Sequence, residues 1–187
     1  MLRKCVLLAV LAAATVSALR GQATPTASKV FDIQAGGSFV IAKSDYLPQK
    51  YKGFGFYSTI DFRRHLGIAL DFHQVYAPSP AIDYERTYEV GGRYVLHYGR
   101  LHPYAKAMYG RGVYNFASPS PPDRSVQQAN LAYNLFGIGG GADYSIKRYL
   151  NVRADYEFQL WGSDNYGYLP NGISPQLFSI GAAYHFR

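Results

Sequence analysis

Beyond its N-terminus the chain has no apolar run of about 18 residues or more, so no segment there can cross a bilayer as a helix. It has little charge, with Asp, Glu, Lys and Arg together making 17% of 187 residues. It has no basic run and no nucleic-acid motif, which sets nucleic-acid binding aside. Its single cysteine is Cys5. A chain with no cysteine pair must be held together by burial and polar pairing, without disulfides. No spacing of His, Cys, Asp and Glu matches a metal-ligand pattern, so no metal and no cofactor is expected. "GIGGG" at 137–141 is followed by no helix start and no Lys-Ser/Thr, so it reads as tight packing in a strand and not as a phosphate loop.

Aromatics are abundant: 16% of the chain, with 18 tyrosines, beside 19 glycines. Aromatic enrichment with modest charge suits strands better than helices.

Residues 1–23 read as a secretory signal peptide. Arg3 and Lys4 form a positive start, "CVLLAVLAAATV" a short apolar stretch, and "VSA" ending at Ala18 or "GQA" ending at Ala23 the cleavage site. A short membrane anchor is the competing reading. Cleavage after Ala23 removes Cys5 together with Arg3, Lys4 and Arg20. The nineteen basic residues then fall to sixteen against twelve acidic, a net charge of +4.

Residues 24–187 alternate between oil and charge. In "LNVRADYEFQLWG", Leu150, Val152, Ala154, Tyr156, Phe158 and Leu160 interleave with Asn151, Arg153, Asp155, Glu157 and Gln159. Side chains that point alternately to two faces of a strand give this pattern. Eight such strands are expected: 30–42, 54–63, 66–77, 84–98, 103–114, 131–145, 149–161 and 176–187. Short turns "RRH", "GRLH" and "IKR" alternate with longer loops rich in Pro, Ser, Gly, Asn and Asp. This is the layout of an antiparallel up-and-down meander.

Every acid fits one scheme. Asp32, Asp61, Asp71, Glu85, Glu89, Asp143, Asp155 and Glu157 take the polar parity of their strands. Asp45, Asp83, Asp123 and Asp164 fall one to each long loop. Arg63, Arg93, Lys106 and Arg153 share the polar parity, and only Arg86 and Arg111 take the apolar one, near the long-loop ends. Ser58, Gln74, Asn134 and Gln176 are the remaining polar residues on that face. A charged residue facing lipid costs about 2–4 kcal/mol at the midplane and almost nothing near the interfaces. Aromatics gather at both ends: Phe54, Tyr84, Tyr109, Tyr114, Phe116 and Trp161 toward the long loops, and Phe62, Tyr98, Tyr144, Tyr184 and Phe186 toward the short turns.

An open sheet cannot live in lipid, because its edge N–H and C=O groups would lack partners. The expected fold is therefore all-β, an eight-stranded antiparallel up-and-down transmembrane β-barrel. Its interior is just wide enough to be filled by side chains. Asp71, Glu89, Arg93, Arg153, Asp155 and Glu157 are the expected lumen network. Arg153, Asp155 and Glu157 are expected to pair across it with Arg93, Glu89 or Asp71.

"FDIQAGGSFVIA", "PYAKAMYG", "GIGGGADYSI", "LNVRADYEF" and "FSIGAAYHFR", in this order, resemble the strands of small bacterial outer-membrane β-barrels. The similarity is to the OmpA-type transmembrane domain and its OmpX-like relatives, over almost all of residues 28–187. It implies export to the outer membrane of a Gram-negative-type bacterium, in contact with lipid and lipopolysaccharide. In that family a C-terminal aromatic strand is read by the barrel-assembly machinery. Phe178, Ile180, Tyr184 and Phe186 match that signal, with Phe186 penultimate where the family has its aromatic last. The chain ends with the barrel, so the peptidoglycan-binding role of longer relatives is not carried over.

Alternation alone does not say which face is inside. A lipocalin-type soluble barrel would line its cavity with the oily face. A lipopolysaccharide-modifying enzyme needs a nucleophile with a positioned base, and His73, His97 and His185 take the polar parity with no suitably placed Ser. A pore needs more lumen than eight strands leave. The leading expectation is a non-enzymatic barrel with a plugged polar lumen, serving envelope integrity or surface contact through four loops.

Overall fold

A computed structural model describes residues 31–45, 48–62, 65–78, 83–118, 127–162 and 172–186. The expected signal, residues 1–23, lies outside them, as do Arg63, Arg64, Asp123 and Asp164. The strands are β1 (Asp32–Lys43), β2 (Lys50–Asp61), β3 (Leu66–Tyr76), β4 (Tyr84–Val95), β5 (Leu101–Ser118), β6 (Gln127–Lys147), β7 (Leu150–Trp161) and β8 (Gln176–Phe186). Each pairs antiparallel with its sequence neighbours, and β8 pairs with β1 to close the barrel. Closure leaves no sheet edge, so the ladder satisfies the backbone without water.

Three boundaries lie four residues from expectation. β2 starts at Lys50, because Tyr51 already points inward and is fully buried. β5 and β6 run on as a paired ribbon to Ser118 and Gln127, so part of the expected loop continues the ladder.

The exposed face is the oily one. Phe39, Phe56, Val90, Ile138, Leu160 and Ile180 are each 50–59% exposed, whereas Glu157 is 0% and Arg153 4% exposed. A soluble barrel of lipocalin type would show the reverse, and that alternative is excluded. Soluble monomers rarely expose apolar patches beyond a few hundred Å². A continuous outer surface of this kind belongs in hydrocarbon.

Ser58, Gln74, Arg86 and Gln176 on that outer face are paired. Arg86 Nε donates to Gln74 Oε1 at 3.0 Å. Tyr156 donates its hydroxyl to Gln176 Oε1 at 3.1 Å, and Ser58 donates to the Gln34 carbonyl at 3.0 Å. Phe54, Tyr76 and Tyr109 ring the long-loop end of the outer face, and Tyr94, Tyr98, Tyr144, Tyr149, Tyr184 and Phe186 the short-turn end. Trp161 and Tyr114 depart from the expected belt. Both are buried inside, at 4% and 2% exposure, because both sit on the inward parity of β7 and β5. The Phe116 side chain lies outside the described residues.

Candidate functional site: the barrel lumen

The lumen is filled in layers whose order follows from the strand registers. Toward the long loops, Val40, Tyr51, Val75, Tyr114, Leu135 and Trp161 form a hydrophobic layer. Trp161 lies over Gly112, where an added Cβ would stand 2.5 Å from the indole ring. Only glycine at 112 lets the ring take this place. The indole N–H is satisfied below, donating to Gln159 Oε1 at 2.9 Å. A buried Trp needs such a partner.

Gln159 joins this layer to the charges beneath. Its Nε2 donates to Glu89 Oε1 and to Glu157 Oε1, both at 2.7 Å. Lys106 is the hub of the middle layer. Its Nζ stands 2.7 Å from Asp71 Oδ2, 2.8 Å from Asp155 Oδ1 and 2.7 Å from Glu157 Oε2. Tyr104 donates its hydroxyl to Asp155 Oδ2 at 2.6 Å. An ion taken out of water costs several kcal/mol unless it is both paired and hydrogen-bonded. One ammonium among three carboxylates, with a tyrosine on one of them, meets much of that demand.

Toward the short turns Asp143 collects two arginines. Arg153 approaches with Nε at 2.6 Å from Oδ1 and Nη2 at 2.9 Å from Oδ2. Arg93 Nη2 donates to the same Oδ2 at 3.1 Å, and Arg93 Nε lies 3.2 Å from Asp61 Oδ1. The guanidinium of Arg153 lies 4.0 Å from the Tyr57 ring centroid and 5.0 Å from that of Tyr104. Aromatic faces stabilise desolvated guanidinium groups in this way. Below, Asn151 Nδ2 donates to Gln34 Oε1 at 2.9 Å, and His185 meets Asp32 at the rim.

All six expected network residues point into the lumen and are buried. Their partners differ from those expected. Arg153 pairs with Asp143 on the adjacent strand and not with Glu89 or Asp71, because Asp143 is its direct register partner. Arg93 likewise turns to Asp61 and Asp143. Asp71, Asp155 and Glu157 meet on Lys106, which has the polar parity but is not one of those six. Parity gives the face of a side chain but not its height, and pairing needs both. Pairing the strands at their short turns supplies height, but here the β-bulge between Ser145 and Lys147 shifts the register and sets Asp143 opposite Arg153.

The histidines separate. His73 is buried, with Nδ1 3.2 Å from Thr87 Oγ1 and 3.5 Å from Glu89 Oε1. Hydroxyl and carboxylate approach the same ring nitrogen, so this imidazole cannot relay a proton from one to the other as a catalytic triad requires. His97 lies past the end of β4 in a short turn, between His65 and His102, with ring centroids 6.1 and 5.1 Å away. Phe178, Ile180, Tyr184 and Phe186 point outward on β8 and are exposed.

No protein-family model and no curated protein matches the chain. Solved structures do. Neisserial surface protein A superposes with a TM-score of 0.58 at 17% identity, covering 83% of this chain and 97% of that one. The attachment invasion locus protein Ail of Yersinia pestis gives 0.55 at 18% identity over the same shares. The N-terminal β-barrel domain of Pseudomonas aeruginosa OprF gives 0.58 at 12% identity, again over 83% and 97%. At these identities the likeness shows the fold, and the fold is that of the small eight-stranded outer-membrane β-barrels expected from the strand order.

Proposed function

We propose that this is an exported, non-enzymatic outer-membrane barrel with a plugged lumen, which steadies the envelope and presents its long loops for surface contact. The observation that carries the reading is the continuous filling of the lumen, from the Trp161 layer through Lys106 to Asp143, by side chains paired with one another. A channel needs a polar path that water can occupy, and a lumen packed in this way supports no steady conductance. Among the described residues no histidine joins a hydroxyl to a carboxylate through its two ring nitrogens.

The outer surface supports contact with lipopolysaccharide. Lys43 and Lys50 face outward and stand directly opposite each other on β1 and β2. Lys52 and Arg111 are exposed on the same band, toward the long loops. Like charges directly opposite are destabilising. Among the described strand residues no carboxylate faces outward to offset them. Phosphate groups of the outer-leaflet lipid have the charge and the height to do so, each basic residue contributing about 1 kcal/mol near an anionic surface. On β8, Phe178, Ile180, Tyr184 and Phe186 serve as the assembly signal in this reading.

Planar-bilayer recording of the folded, full-length mature protein tests the plugged lumen. The expected trace is flat. Steady, large single-channel conductance would make the protein a pore.

A further inference from the structure

We propose that His73, Glu89 and Glu157 form a site for one divalent transition-metal ion inside the lumen. One ligand atom from each lies within 4.8 Å of the other two, and all three side chains are buried. His73 Nδ1 stands 3.5 Å from Glu89 Oε1. Two donors bound to one tetrahedral ion at 2.0–2.1 Å are about 3.4 Å apart, so the spacing is already close to that of a filled site.

Glu89 Oε2 is the second observation. It is buried and has no N–H donor among the described residues, on a residue only 5% exposed. A buried carboxylate oxygen left bare is costly. This oxygen and Glu157 Oε1 converge over Gly137, where an added Cβ would lie 3.1 and 3.0 Å from them. Glycine keeps that space open. Gln159 Nε2 bridges the two carboxylates from the side. A bridging amide of this kind holds metal ligands in place.

The charge balance points the same way. Asp71, Glu89, Asp155 and Glu157 are four carboxylates in one buried layer, with Lys106 as their only lysine or arginine ion pair among the described residues. Arg93 and Arg153 are already engaged by Asp61 and Asp143. Even a protonated His73 leaves the layer negative. A divalent ion removes that excess. Imidazole with carboxylates is a donor set for zinc, manganese or iron(II) and less so for calcium, which prefers an all-oxygen shell.

The rim histidines His65, His97, His102 and His185 are the rival ligands, so the test starts from a chain with His65→Asn, His97→Asn, His102→Asn and His185→Asn. The unfolded, chelator-stripped chain is refolded into lipid vesicles with Co²⁺ present, then washed with chelator. Elemental analysis and visible absorption report bound cobalt. The expected result is one ion per folded barrel, with visible bands of a mixed nitrogen–oxygen site. His73→Asn or Glu89→Gln, added to this chain, is expected to weaken retention at least tenfold. If those variants fail to fold, the stoichiometry and spectrum of the rim variant decide alone. A folded rim variant that keeps no cobalt overturns the proposal. So does cobalt kept equally after His73→Asn and Glu89→Gln. Either result leaves the plugged-barrel reading standing, since that rests on conductance.

Discussion

Asp143 faces Arg153 across the β6–β7 ladder and accepts both of its inward N–H groups, Nε at 2.6 Å and Nη2 at 2.9 Å. The fork of the guanidinium matches the two carboxylate oxygens, a geometry lysine cannot reproduce. Arg153→Lys is therefore expected to destabilise the barrel although charge is kept. Asp143→Asn should cost more, about 3–5 kcal/mol, because it takes the paired carboxylate from buried Arg153 and leaves Arg93 with Asp61 alone. Urea unfolding in lipid vesicles measures both. Equal stability of wild type and Asp143→Asn would contradict the assigned pairing.

Lys106 binds three carboxylates, so its loss should be felt more than that of any exposed lysine. Lys106→Met keeps most of the volume but leaves Asp71, Asp155 and Glu157 facing one another. The expected cost is about 3–5 kcal/mol or more. Lys52→Met, on the exposed outer face, should change stability by less than about 1 kcal/mol. Heat-modifiability on a gel compares them directly, with the Lys106→Met barrel converting to the unfolded position at a lower temperature.

Gly112 lies against the Trp161 ring, at 2.5 Å from the place a Cβ would take. Gly112→Val should push the indole out of its layer. The expected signs are a red-shifted Trp161 emission and a loss of about 1–3 kcal/mol from overpacking. Gly92→Val is the control, since nothing lies within 4 Å of a Cβ there. An unchanged emission spectrum in Gly112→Val would show that the ring does not rest on this glycine.

His97 lies outside the strands, and its pKa is lowered below the ordinary 6.5, first by burial and then by the neighbouring His102 and His65. A histidine with a lowered folded pKa takes up its proton more readily when unfolded. It carries no penalty above pH 6.5 and destabilises the barrel progressively as pH falls below that value. The melting temperature of wild type is therefore expected to drop from pH 7.5 to pH 5.5 by more than that of His97→Gln. Parallel pH curves for the two proteins would contradict this.

The barrel was legible because lipid and lumen make opposite demands on successive residues. Asp155 and Tyr156 cannot both be satisfied unless one faces each way, and the same conflict recurs on every strand. The face of Trp161 was legible by the same rule, since it continues the parity of Glu157 and Gln159. Reading it as an interfacial aromatic let the preference of a residue type override its position. Height in the lumen was harder to read. Lys106 and Asp71 are far apart in sequence, and only the registers through β3, β4 and β5 bring them to one level. Glu89, Glu157 and His73 likewise come from three strands and carry no ligand spacing along the chain.

Trp161 is the only tryptophan of the chain, and it lies on the charged face of β7. It therefore tests directly whether that face is turned inward. The folded barrel is placed in bilayers of lipids brominated along the acyl chain or near the headgroup, and Trp161 fluorescence is followed. With the indole over Gly112 and bonded to Gln159, neither lipid should quench it appreciably, and the emission should be blue-shifted. Strong quenching by either brominated lipid would place Trp161 on the outer surface and contradict the inward assignment of Arg153, Asp155 and Glu157 with it.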